Sequence, residues 1–206
     1  MSYIGKGIYV EDNNRPFEFE SAYYLDFHIT SALVSICHLT SNNDSVFSEF
    51  ENKYQYYHYY SDHLLFSLGQ IANRFIITRN DSSKMKTMKI MNSKTFIFDS
   101  LTYPLLSNKK VRNAVEHIDE HNHNVIEEIG GVGGFNIIDK ETNESIIEAL
   151  KNNKKAHRYT LNLTTGELYV RYMQEEYTIS FDGVKRELLT LRKSVKCVLE
   201  TLKEPY

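Results

Sequence analysis

The sequence predicts a mainly α domain with a small antiparallel β-sheet inserted before a C-terminal helix. Three observations lead there. Apolar residues recur at helical spacing over long stretches between about residues 17 and 130, strict alternation is confined to about 157–181, and a helical stripe returns over about 183–203. With 206 residues, 41% hydrophobic and 25% charged, the chain suits one domain, 1–206, with a sizeable core.

The elements follow in order. Residues 1 to 16 read as a short irregular or strand-like lead ending at Pro16. From Phe17, the residues Phe19, Ala22, Tyr23, Phe27, Ala32, Leu33, Ile36 and Cys37 provide a buried helical face, and His28 and His38 read as structural or surface groups. SNNDS at 41 to 45 breaks the pattern, and a second long helical region is expected over 46–78. Its run YQYYHYY offers rings that can stack bases, but tyrosine at helical spacing more commonly packs its body into a core. Residues 79–94, RNDSSKMKTMKIMNSK, hold five basic residues against one acid and read as a mobile basic loop.

After the helical segment at 109–128 comes GGVGGFNIID, where glycines precede a strand-like run. That order reverses the strand, glycine loop, helix order of nucleotide-phosphate cradles and reads as a helix C-cap with a loop. A short helix is expected over 145–152, followed by the basic cluster KNNKKAHR. Two strands should turn at Thr165-Gly166, with a third after them, and Tyr159, Leu161 and Leu163 share a side that Leu168, Val170 and Tyr172 can also cover. Leu188, Leu191, Val195, Val198 and Leu202 form the stripe of the last helix.

Net charge of -3 argues against polyanion binding by the whole surface, so nucleic acid would need a local patch. Cys37 and Cys197 lack redox or metal-ligand spacing, which suits a reduced compartment. The N-terminus has no charged region followed by an apolar run, and no stretch reaches about 18 apolar residues, so a cytoplasmic protein without membrane contact is expected.

Most of the plausible chemistry lies in KKVRNAVEHIDEHNHNVIEE, Lys109 to Glu128. At about 100° per residue, Val111, Val115, Ile118, Val125, Ile126 and Ile129 form one apolar stripe. Asn113, His117 and Asn124 share a second face, and Arg112, Glu116 and His123 a third. Arg112 and His117 stand about 140° apart, so they meet on one phosphate only through arginine reach, a distorted turn or a second chain. Ser107 can cap this helix, which puts Lys109, Lys110 and Arg112 in its first turns against the dipole, where a bound phosphate would relieve them. If the helix begins near Ser100 instead, the same cations form a solvated face.

RNAVEHIDEH, Arg112 to His121, resembles the HEPN superfamily of helical ribonucleases, whose signature is Arg, four to six residues, then His, often with a polar residue after the Arg. The resemblance rests on Arg112, Asn113 and His117. It implies a dimerising helical bundle that cuts RNA without metal or other cofactor, with roles in toxin-antitoxin or antiviral systems and an antitoxin or regulatory protein as partner. Toxins of one HEPN branch carry Tyr two positions after the His, where this chain has Asp119, so that branch is disfavoured. His117 would be the acid/base, Arg112 the phosphate clamp and Asn113 an orienting residue, with Lys109 and Lys110 as RNA contacts.

Two other readings compete. The stretch from His117 to His121 fits H-x-x-E-H, in which His117 and His121 would hold zinc beside Glu120, although no further acidic ligand stands out among Glu141, Glu144, Glu148 and Glu187. The bland reading is an Arg112 to Glu116 surface pair with a solvated His117, in a non-catalytic module that binds protein or RNA.

Overall fold

Long apolar stripes at three- and four-residue spacing organise the framework. The computed structural model describes residues 17–41, 50, 52–108, 134–152, 157–172 and 175–201. Helix α1 (Phe17–Thr40) turns Ala22, Leu25, Ile29, Ala32, Ile36 and Leu39 into the core, which corrects the expected face: Phe27 and Cys37 are exposed, because the buried stripe runs through Leu25 and Ile29 instead. Each such Leu or Ile contributes about 1.5–3 kcal/mol by leaving water. Helix α2 (Lys53–Asn73) starts where the Asn52 side chain accepts the Gln55 N–H at 2.9 Å. The two helices run antiparallel, since His38 meets Tyr56, Ser31 meets Ser67 and Tyr24 meets Gln70.

The tyrosine run divides by face. Tyr56 and Tyr57 are core, while Tyr54 and Tyr59 remain exposed. His38 is structural: its Nδ1 lies 2.8 Å from the Tyr56 hydroxyl and its ring stacks on Tyr60 at 4.0 Å. Burial and the neighbouring Tyr60 push the Tyr56 hydroxyl up to about 12.

Residues 79–94 correct the expectation of a mobile loop. Ser83–Thr95 is helix α3, capped by Ser82, whose hydroxyl accepts the Met85 N–H at 3.3 Å. Lys and Met are good helix formers, and two buried polar residues tie the helix to the chain after α2. Lys89 Nζ donates to the Ile76 carbonyl at 2.8 Å, and Asn92 Nδ2 donates to the Arg74 carbonyl at 3.0 Å.

Helix α3 ends in a Schellman turn, with Phe98 N–H donating to Ser93 O at 2.9 Å and Ile97 N–H to Lys94 O at 3.4 Å. Ile97 occupies the position glycine usually takes, at φ 52°, because the buried Phe96 and Phe98 on either side leave it as the 72% exposed apex. Phe98 stacks between Phe75 at 4.0 Å and Tyr103 at 4.8 Å. Ile97→Gly should therefore stabilise the fold by about 0.5–1 kcal/mol, since relief of left-handed strain exceeds the added chain entropy. A urea midpoint that stays put or falls would contradict this strain.

The sheet is mixed, which corrects the expected antiparallel one. Its order is β1 (Gly134–Ile138), β2 (His157–Asn162), β3 (Glu167–Tyr172), β4 (Glu175–Ser180), and β1 pairs parallel to β2. A parallel neighbour requires a crossover, supplied by helix α4 (Glu144–Asn152). The other three strands form the antiparallel meander, with Leu161 opposite Leu168 and Leu168 opposite Ile179. Gly166, at φ 67°, closes the turn between β2 and β3, and its carbonyl accepts the Phe181 N–H at 3.0 Å. Phe135 and Tyr159 bring the sheet against α2, where the Tyr54 hydroxyl donates to the Phe135 carbonyl at 2.8 Å and Tyr159 hydrogen-bonds to Asp62.

Helix α5 (Phe181–Thr201) buries Phe181, Val184, Leu188, Leu191 and Val195. It is tied to α1 by the Arg192 guanidinium, which donates to Asp26 and Thr30 at 3.1 Å. Gly183 lies close to the Leu105 side chain: a Cβ there would lie 2.8 Å from Leu105 Cδ1, so the end of that side chain would have to shift. One continuous core joins α1, α2, α5 and the inner face of the sheet.

Candidate functional site

Lys109, Lys110, Arg112, Asn113 and His117 all lie outside the described residues, as do Glu120 and His121 of the alternative zinc pattern. The approach to that segment is described, and it is held firmly. Residues 103–108 cross the start of α5, with Tyr103 and Leu106 buried. The Glu187 carboxylate accepts the Leu105 N–H at 3.0 Å and 3.1 Å and the Leu106 N–H at 2.9 Å. Burial pushes the Glu187 carboxyl above its usual range, while these hydrogen bonds pull it down.

By residue type Glu187 is a candidate metal ligand, but its role is structural and follows from its burial beside the Leu105 turn. Glu187→Ala should cost about 2–4 kcal/mol, because two backbone donors would be left without their acceptor. Thermal unfolding checks this, and a melting temperature within 1 °C of wild type, against several degrees from the relation of about 2–4 °C per kcal/mol, would rule the clamp unimportant.

A second site lies between the C-terminal end of α2 and α3, lined by Tyr24, Asn73, Arg74, Asp81, Met85, Met88, Lys89 and Asn92 around a cleft of about 400 Å³. Its walls follow from the helical repeat: Met85, Met88, Lys89 and Asn92 are spaced three, four and seven residues along one face of α3. That spacing was visible in the sequence, and reading the segment as a loop concealed it.

The two cations in the cleft are in different states. Lys89, only 6% exposed, is saturated, with Nζ 3.0 and 2.8 Å from the Asp81 carboxylate oxygens and also bound to Ile76 O. The hydrogen bond from Lys89 and that from the Thr78 backbone N–H hold the Asp81 carboxyl down to about 2. Arg74 stands over Tyr24, with its Cζ 3.7 Å from the ring centre, and no carboxylate among the described residues pairs with it. Asn92, 2% exposed, spends its Nδ2 on Arg74 O and leaves its Oδ1 buried without a partner among the described residues.

The lining therefore offers a guanidinium with no carboxylate partner among the described residues, and thioether walls. Asp81 is committed to Lys89.

Two histidines pack within the scaffold, His28 beside the cleft and His58 at the opposite end of α2. His28 is buried among Tyr24, Phe27 and Phe66, and burial followed by the Arg74 charge lowers its pKa, so it is neutral at neutral pH. His58 lies between the Tyr54 and Tyr159 rings, with Nδ1 3.7 Å from Asp62. Among the described residues no three His, Cys, Asp or Glu side chains converge on a metal-sized site, and no helix is long and apolar enough to cross a membrane. The chain is significantly similar to no family model, no curated protein and no solved structure.

Proposed function

We propose that this protein is a metal-independent endoribonuclease of HEPN type, acting in the cytoplasm as a homodimer within a toxin-antitoxin or antiviral system. The observation that carries the reading is Arg112-Asn113-x3-His117, a phosphate-binding cation and a near-neutral acid/base in one short segment. The described residues are mainly helical, and Glu187 fixes the chain four residues before Lys109 through its bonds to Leu105. The Gly-rich loop and the mixed sheet are additions to a simple bundle.

In the proposed reaction the ribose 2′-hydroxyl attacks its adjacent phosphorus and the bond to the 5′-oxygen breaks. One proton leaves the 2′-oxygen and one reaches the 5′-oxygen, with His117 as the acid/base. Arg112 stabilises the charge on the phosphorane oxygens, and Asn113 orients the phosphate. A second copy of the chain can complete a site that the 140° between Arg112 and His117 divides.

RNA incubated with the purified protein in chelator should yield fragments ending in 2′,3′-cyclic phosphate and 5′-hydroxyl. The panel should include structured transfer RNA. No cutting of any RNA, or cutting that stops in chelator, would overturn the proposal. A second reading, a non-catalytic RNA- or protein-binding module, is favoured by the Arg74 cleft, whose lining has ligand chemistry without a free base.

A further inference from the structure

The cleft between α2 and α3 brings a cation and an apolar wall together. Arg74 carries a charge with no carboxylate partner among the described residues, and Tyr24 fixes one face of its guanidinium, so its donor edge is preorganised for an anion. Asn92 Nδ2 holds the Arg74 carbonyl at 3.0 Å, which fixes the backbone under the guanidinium. Met85 and Met88 of the same lining provide a polarizable apolar wall that suits a flat ring.

The surroundings extend the anion preference. Rotation along α3 places Lys84 and Lys86 on either side of Met85, and Arg79 stands in the turn that leads into the helix. No carboxylate among the described residues lies within ion-pair distance of these three, whereas the buried Lys89 is neutralised by Asp81. The patch is thus locally cationic in a chain of net charge -3. A volume of about 400 Å³ admits one small-molecule unit.

We propose that this cleft is a subsite for one nucleotide, with its phosphate on Arg74 and its base against Met85 and Met88. An anion joined to a flat ring within one small unit is nucleotide chemistry. The nucleotide can be free or part of an RNA strand, and Arg79, Lys84 and Lys86 then receive the neighbouring phosphates of a strand. The inference goes beyond cleavage and stands whether or not His117 is catalytic.

The test uses the full chain and a fluorescein-labelled, fully 2′-O-methylated single strand of about 12 nucleotides. That strand lacks the 2′-hydroxyl nucleophile, so anisotropy reports binding alone. Arg74→Gln and Met85→Asp should each weaken binding by about tenfold or more, while Lys185→Glu on α5 should leave it unchanged. Met85 is exposed, so its replacement keeps the test decisive if Arg74→Gln unfolds. Arg74→Gln should also lower the slope of log affinity against log salt by about one.

Competition by AMP would assign the site to a single nucleotide, and competition by unlabelled strand alone would assign it to RNA; both support the proposal. Absence of binding to either, wild-type affinity in both variants, or equal competition by polyglutamate would overturn it. Proposed cleavage fails separately: His117→Ala should bind the methylated strand as wild type does, whatever happens to turnover.

Discussion

His117→Ala is expected to slow RNA cleavage by about 10² to 10⁴-fold, and Arg112→Ala by a comparable factor. In the proposed reaction the first would remove proton transfer at the 2′- and 5′-oxygens. The second would remove a charge that stabilises the phosphorane, a contact that counts for more in the transition state than in the bound substrate. His121→Ala should retain most of the activity, since on an ideal helix it is four residues from His117 and plays no part in the proposed reaction. The three variants separate the readings when cleavage and zinc content are measured together. Loss of stoichiometric zinc and of hydrolysis in His121→Ala would instead favour the zinc pattern. Wild-type rates in His117→Ala would end the case for catalysis in this segment. Sedimentation of the wild-type protein adds an independent check, because a monomer at high micromolar concentration would contradict a site shared by two chains.

Lys89→Met should destabilise the fold by about 3 kcal/mol, because the Asp81 carboxylate and the Ile76 carbonyl would lose a buried cation together. At about 2–4 °C per kcal/mol for a domain of this size, the melting temperature should fall by roughly 6–12 °C. The pH dependence identifies the cause. The folded pKa of Asp81, about 2, lies below its ordinary value of 3.8, so the stabilisation is present above pH 4 and is lost as pH falls through 2. The gap between wild type and Lys89→Met should accordingly narrow between pH 4 and pH 2. A gap that does not change over that interval would assign the loss to packing instead of the ion pair.

The helical elements were legible because burial imposes their period on the sequence. Ala22, Leu25, Ile29, Ala32, Ile36 and Leu39 repeat every three or four residues, and Val184, Leu188, Leu191 and Val195 do the same. The alternation from Tyr159 to Val170 likewise announced strands with one covered face. Helix α3 was obscured because its outward face dominates its composition: only Lys89 and Asn92 are buried in it, and both are polar. The cap at Ser82 was a local signal that could have revealed it.

By itself the sequence determined a mainly helical chain, the strand pairing around Gly166, and the residue types of one short segment, Arg112 to His117, on which the ribonuclease proposal rests. Those are local properties, set by periodicity, turn geometry and residue type. Only the tertiary structure decided that β1 joins the sheet in parallel, that Glu187 on α5 clamps the chain ahead of Lys109, and that Arg74, Tyr24 and Asn92 share one cleft. Tyr24 and Arg74 are far apart in sequence, and their meeting depends on the antiparallel packing of α1 against α2, which no spacing within either helix encodes.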